Sequence, residues 1–198
     1  MNLVFIVLNW NQYQKTITCL KSLISANRPS GWNIEIVVID NASEDCSVEK
    51  IKEEFPQIKI MVSETNLGFA GGANMGLNYA LSKEADIIGL LNNDIVVQED
   101  FLIPFKRATE TQKHWAAMAP LPERSNRKGY EYGWKWQKLW CRAVPLENQR
   151  KKGIYEAELI PGCALFFNSD ALKEIGTFDE KFFLRFEDVD WFLRARKL

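Results

Sequence analysis

The chain carries one histidine, His114, and four cysteines in 198 residues. Cys19, Cys46, Cys141 and Cys163 lie far apart, without the close pairs of a zinc ribbon or a redox CxxC. Cys19 and Cys163 sit among apolar neighbours, as core thiols do, and His114 beside Trp115 reads as a surface residue. No disulfide framework is implied, which suits a reducing cytoplasm. Long apolar runs are also missing. The amino-terminal run Leu3 to Leu8 has no basic start and no small-residue cleavage site, so it reads as a strand rather than a signal peptide. Nothing approaches the roughly 20 residues of a membrane span. An excess of charge is absent too: 25 Lys/Arg face 26 Asp/Glu, giving a net charge of −1 and no general attraction to nucleic acid.

What is present is a regular alternation. Leu3–Leu8 is a continuous apolar strand, and Tyr13–Ala26 follows with Ile17, Leu20, Leu23 and Ile24 on one helical face. Ile34–Ile39 is a second strand, ending in Asp40 and Asn41. Ser43 is placed to cap a helix toward Phe55, where Pro56 stops it. A third strand spans Ile58–Val62, then a glycine-rich loop leads into a helix to about Leu81, and a strand from Asp86 to Leu91 ends in Asn92-Asn93-Asp94. Strands alternating with helices predict an α/β fold with a mostly parallel sheet covered on both faces. Beyond Asp94, a helix over Phe101–Thr111, a short strand near Ala116–Ala119, a strand over Ala164–Phe167, a helix capped by Ser169 and a last helix from Glu187 to Arg196 are expected. Length and composition suit one domain.

The chemistry gathers at the strand ends. Asn9 and Asn11, Asp40 and Asn41, Thr65 and Asn66, and Asn93 and Asp94 offer short polar side chains where open α/β sheets bind their ligands. The segment Asn66 to Gly76 contains Gly68, Gly71, Gly72 and Gly76, which suit close helix packing or a helix start that offers amides to a diphosphate. Its position after the third strand excludes a dinucleotide fingerprint and a methyltransferase loop, both of which follow the first strand. It also lacks the Gly-Lys-Ser/Thr ending of a P-loop. A second element is Glu187-Asp188-Val189-Asp190. Acids in a first turn complement the helix dipole, yet a carboxylate at a cleft edge can also take a proton from a hydroxyl, with Arg185 and Arg194 near enough to orient it.

Taken together these pieces resemble the family 2 glycosyltransferases, in particular the rhamnosyltransferase-like branch. The matching segments are Val7–Asn11, Val38–Ser43, Asn66–Gly76, Leu90–Asp94, Gly162–Phe167 and Gly176–Phe183 leading into Glu187–Asp190, in family order. The resemblance implies a GT-A fold and an inverting transfer from a nucleoside-diphosphate sugar to a glycan or lipid-linked acceptor. By that likeness Asn9, Asn11, Asp40 and Asn41 serve the nucleoside, with Asp40 facing the base. Asn66, Gly68, Gly71, Asn74, Asn93 and Gly162 line the donor cleft. Asp94 holds a divalent cation, Mg2+ or Mn2+, Asp188 is the general base and Glu187 stands beside it. The likeness divides the domain into a nucleotide-binding half, 1–94, and an acceptor half, 95–198. Family members continue past the acidic motif, whereas this chain stops ten residues after Asp188. The resemblance therefore implies a missing carboxyl-terminal part, and a nucleotide-sugar-binding domain without turnover is the alternative.

Residues 123–153 have no clean period. From Arg124 to Lys152 nine Lys/Arg face two Glu, and Tyr130, Tyr132, Trp134, Trp136 and Trp140 interleave with Lys135, Lys138 and Arg142. Trp136 and Trp140 have helical spacing. Such a segment suits a solvated loop with rings tucked onto the core, or an element that meets the acceptor or the inner face of an anionic membrane.

Overall fold

A computed structural model describes residues 1–120, 134–137, 142–145, 153–160 and 162–197. Its centre is a six-stranded sheet in the order β3-β2-β1-β4-β8-β5. The strands are β1 (Asn2–Asn9), β2 (Asn33–Asp40), β3 (Lys59–Val62), β4 (Ile87–Asn92), β5 (Ala117–Met118) and β8 (Ala164–Asn168). β1 to β4 pair in parallel, as strand-helix repeats require. β8 runs antiparallel to both β4 and β5, a reversal that carries no local sequence signal. A separate two-stranded ribbon pairs β6 (Trp134–Gln137) with β7 (Arg142–Pro145).

Alternation along the strands sorts the core into two layers. Leu3, Phe5, Val7, Val38, Leu91 and Phe166 face α1 (Tyr13–Ser25), α2 (Ser47–Glu54) and α4 (Leu102–Thr111), which contribute Leu20, Ile51 and Phe105. Val4, Ile6, Ile39, Leu90 and Phe167 face α3 (Gly68–Ser82), α5 (Ser169–Ile175) and α6 (Glu187–Ala195), which contribute Leu77, Leu172 and Trp191. Each fully buried side chain of this size is worth roughly 1.5–3 kcal/mol against exposure. α3 lies close to the sheet because Gly76 faces Ile6 and Gly72 faces Leu8 and Asn41, where an added methyl group would collide.

Two expected caps are corrected. Ser43 does not start α2: the helix begins at Ser47, whose N–H donates to Asp45 Oδ1 at 2.9 Å, because Ser43 is drawn into the polar strand ends described below. Ser169 does not cap α5 either. Asn168 does so, accepting from the amides of Asp170 and Ala171 at 3.0 and 3.1 Å, while the Ser169 hydroxyl is buried without a partner. The helical spacing of Trp136 and Trp140 also fails as a guide, since Trp136 lies on strand β6 with Ala143 opposite. Arg124, Tyr130, Tyr132, Lys138, Trp140 and Cys141 lie outside the described residues. Among the described residues no helix is long and apolar enough to cross a membrane.

Candidate active site

β1 is where the strand order reverses, with β2 and β3 on one side and β4 on the other. Ligands of open α/β sheets bind at the carboxyl ends around such a point. Asn9, at the end of β1, pairs in register with Asp40 and is completely buried. Its Nδ2 donates to Asp40 Oδ2 at 2.7 Å and to Ser43 Oγ at 3.2 Å. Its Oδ1 accepts from Thr16 Oγ1 at 2.5 Å and from Asn93 Nδ2 at 3.5 Å. Asp40 is equally buried, and its second oxygen accepts from the Ser43 amide at 2.9 Å. The carboxyl is thus held inside the protein, satisfying the demand that a buried polar group be hydrogen-bonded. Asn11 is the exposed member of this group. It has a positive φ of 52°, donates its amide to Ser43 Oγ at 2.8 Å and accepts from the Glu44 amide at 2.8 Å.

Asn41 ties β2 to the start of α3. Its Nδ2 donates to Asn66 Oδ1 at 3.1 Å and to the Gly68 carbonyl at 2.9 Å, and its Oδ1 accepts from the Leu67 amide at 3.0 Å. Asn66 Oδ1 also accepts from the Gly68 amide at 2.9 Å, and the Phe69 amide donates to the Phe183 carbonyl at 2.7 Å. The amides of residues 67, 68 and 69 are thereby directed to protein acceptors. Gly68 adopts a φ of +70° and lies against the Phe183 carbonyl, leaving no room for a Cβ. Gly71 is buried, where a Cβ would stand 2.7 Å from that of Leu67. Asn74 is buried on the next turn and clamps the segment before α6, donating to the Phe178 carbonyl and Glu180 Oε1, both at 2.9 Å, and accepting from the Phe178 amide at 3.0 Å.

At the end of β4 the three polar residues diverge. Asn92 lines a cavity of about 430 Å³ on the α6 side, and its Oδ1 is buried without a partner. Asn93 turns toward α1 and donates to Thr16 Oγ1 at 3.1 Å. Asp94 is exposed. The same cavity is lined by Gly162, Cys163, Glu187 and Asp188, with apolar walls that include Phe69, Leu159 and Phe192. The Asn92 amide donates to the Cys163 carbonyl at 3.0 Å, which joins the two strand ends. Burial pushes the Asp188 carboxyl above its ordinary range, opposed by backbone hydrogen bonds, among them those of Val189 and Gly162. Gly162 packs against this carboxyl: a Cβ there would stand 2.8 Å from Asp188 Oδ2 and would force the carboxyl to move. Glu187 is buried with its Oε2 unpartnered, and burial followed by the Asp188 charge raises its pKa. Arg194 does not orient Asp188. It binds Asp190 at 2.8 Å and the carbonyls of Ile175 and Thr177 at 2.7 Å, bolting α6 to the end of α5.

The family model described as Glycosyl transferase family 2 matches residues 4–176, from the first strand to the end of α5. The chain belongs to glycosyl transferase family 2. No curated protein matches it, but solved structures do. S. aureus TarS superposes with a TM-score of 0.74 at 19% identity, over 98% of this chain and 33% of that one. GalNAc-T7, solved with UDP, GalNAc and Mn2+, gives a TM-score of 0.75 at 16% identity, over 98% and 40%. The mannosyltransferase PcManGT from Pyrobaculum calidifontis, solved with GDP-Man and Mn2+, gives 0.62 at 16% identity, over 90% and 47%. At these identities the likeness establishes the GT-A fold, and the chain spans a third to about half of the length of these structures.

In this family 2 chain two residues that the sequence pattern did not single out take part in the strand-end network, Thr16 and Ser63, and a third, Glu180, accepts from Asn74. Thr16 lies on α1 between exposed Lys15 and half-buried Ile17, in helical period with buried Leu20 and Leu23. Ser63 follows β3 and contacts the Asp40 carbonyl and Asn41 Oδ1 at 3.4 and 3.3 Å. Among the described residues no group of three His, Cys, Asp or Glu side chains could hold a metal ion.

Proposed function

We propose that this chain transfers a sugar, with inversion, from a nucleoside-diphosphate sugar to a hydroxyl of a glycan or lipid-linked acceptor. The observation that carries the reading is Asp188, a half-buried carboxyl with raised pKa in the same cavity as the β4 end, against the glycine that precedes β8. Support for the donor class comes from the family and from relatives solved with UDP, UDP-GlcNAc and GDP-Man. The reading assigns residues 1–94 to the nucleotide and 95–198 to the acceptor. The nucleoside meets the strand ends at Asn11, whose backbone is set by the buried Asn9, Asp40 and Ser43, while Asn41, Asn66, Gly68, Gly71 and Asn74 form the wall behind the donor. The basic, aromatic segment 124–152, most of it outside the described residues, is assigned by its composition to the acceptor or the inner membrane surface.

Inversion is a single displacement. The acceptor hydroxyl oxygen attacks the anomeric carbon, its proton passes to Asp188, and the carbon–oxygen bond to the diphosphate breaks with the electron pair leaving on the diphosphate. General-base assistance of this kind is worth about a hundred- to ten-thousand-fold. Glu187, buried beside the base, has its own pKa raised by burial and by the Asp188 charge. Asp94, exposed at a strand end, fits a divalent cation whose remaining ligands are diphosphate oxygens, since Mg2+ and Mn2+ sites commonly combine one or two carboxylates with phosphate. Such a cation, when bound, neutralises the charge that builds on the leaving group.

The test is Asp188→Asn assayed against a panel of nucleoside-diphosphate sugars with Mn2+. Turnover is expected to fall by at least about a hundred-fold while donor affinity stays within about twofold. Near-normal turnover in the variant overturns the assignment. Donor binding without turnover in the unsubstituted chain marks a nucleotide-sugar-binding subunit instead.

A further inference from the structure

The hydrogen bonds around Asn9 form one continuous, fully satisfied network that crosses three strands. An asparagine side chain has two donor hydrogens and two acceptor lone pairs. In Asn9 the donors go to Asp40 and Ser43, and the acceptor sites to Thr16 and Asn93. Thr16 sits at the junction. Its hydroxyl donates to Asn9 Oδ1 at 2.5 Å, with the Gln12 carbonyl a longer alternative at 3.3 Å, and it accepts from Asn93 Nδ2 at 3.1 Å. The residue is wholly buried. On the same face of α1, one turn further on, the Cys19 thiol lies 3.9 Å from the Asn92 carbonyl. That contact brings this face of α1 against the end of β4 from which the turn to Asp94 departs; burial, and next the charge of Asp94, push the thiol up to about 12.

We infer that Thr16 is a positioning residue: through Asn93 it fixes the 92–95 turn, and with it Asp94, relative to the strand ends that receive the nucleoside. Asn93 is half-buried beside an exposed acid, and its bond to Thr16 is the tie shorter than 3.5 Å between that turn and α1 among the side-chain bonds described. The turn's own closure is weak, with the Ile95 amide donating to the Asn92 carbonyl at 3.3 Å. Without the hydroxyl, Asn93 keeps only its 3.5 Å contact to Asn9, and between the Asn92–Cys163 bond at 3.0 Å and the Val97–Ser22 bond at 3.2 Å the turn keeps only its long closing bond. The network therefore couples the two ends of a bound nucleoside diphosphate through the protein interior. The consequence for ligand binding rests on the proposed function, but the positioning itself does not.

The test uses the full chain and Thr16→Val, which keeps shape while removing the hydroxyl, with Thr16→Ser as the conservative control. In ligand-free protein, hydrogen exchange of the Ile95 amide is expected to quicken by about tenfold in Thr16→Val and to return to the original rate in Thr16→Ser. The Asn41 and Ser63 amides, bonded to the Asn9 and Asp40 carbonyls, keep their rates, which separates a loosened turn from general destabilisation. Asn93→Ala breaks the same bond from the loop side and reproduces the Ile95 effect should the buried substitution impair folding. Affinity for UDP or GDP in the presence of Mn2+ is expected to drop about tenfold in Thr16→Val, the size usual for losing an outer partner of a metal ligand. An unchanged Ile95 rate in both variants, or equal slowing or quickening at all three amides, overturns the inference. A quickened Ile95 amide in a protein that binds neither nucleotide supports the positioning role and counts against the donor reading alone.

Discussion

At the scale of single residues, the acids of α6 show how a function is set against stability. Burial raises the Asp188 carboxyl above its value in an unfolded chain, so the native state prefers the protonated form. Stability from this group is complete at low pH and is lost as pH climbs through the raised value. Asp188→Asn removes the charge at every pH. Its melting temperature is expected to exceed that of the original chain at pH 7.5, and the gap to close toward pH 4, near the ordinary aspartate value of about 3.9. A gap that widens on acidification refutes the assigned cause. If the proposed function holds, transfer by the original chain fails on the acid side above the usual aspartate range, because a general base must be ionised to work. Asp188 was readable as a candidate from its motif. Thr16 was not: it falls in period with Leu20 and Leu23, but nothing in the sequence names the partners that the fold gives its hydroxyl.

At the scale of elements, the apolar strands were legible because buried parallel strands are written as uninterrupted apolar runs. β1, β2 and β4 lie within a residue or two of where the pattern puts them. Helix starts were less legible, since several residues near a start compete for the same amides. Asn168 and Ser169 are both good caps in isolation, and the choice depends on which side chain can turn back toward the helix. The structure gives that role to Asn168. Asn168→Ala is therefore expected to cost about 1 kcal/mol in denaturant unfolding, whereas Ser169→Ala, which removes an unpartnered buried hydroxyl, costs nothing or slightly stabilises. The reverse ranking would return the cap to Ser169. The direction of β8 was beyond sequence reasoning, because nothing in an apolar run tells which way it will pair.

At the scale of the whole molecule, residues 177–186 link the two halves of the site. They are held to α3 by Asn74 and by the Phe69 amide, and to α6 by Arg194, which donates to the Thr177 carbonyl. Arg185 and Phe186 both take left-handed backbone angles immediately before α6, a conformation that persists only when its surroundings impose it. Gly68→Ala adds a Cβ against the Phe183 carbonyl and forces an alanine to a positive φ. It is expected to cost about 2–4 kcal/mol and to open the 177–186 segment to limited proteolysis. Resistance to cleavage equal to that of the original chain counts against this link. A different link joins the two acids themselves. The Asn92 amide meets the Cys163 carbonyl, with Asp94 two residues beyond the first and Asp188 resting on the glycine before the second. Under the proposed function, the leaving-group side and the proton-accepting side are therefore joined through one rung of backbone pairing. A change in either strand end would on that reading shift both acids together, whatever the loops around them do.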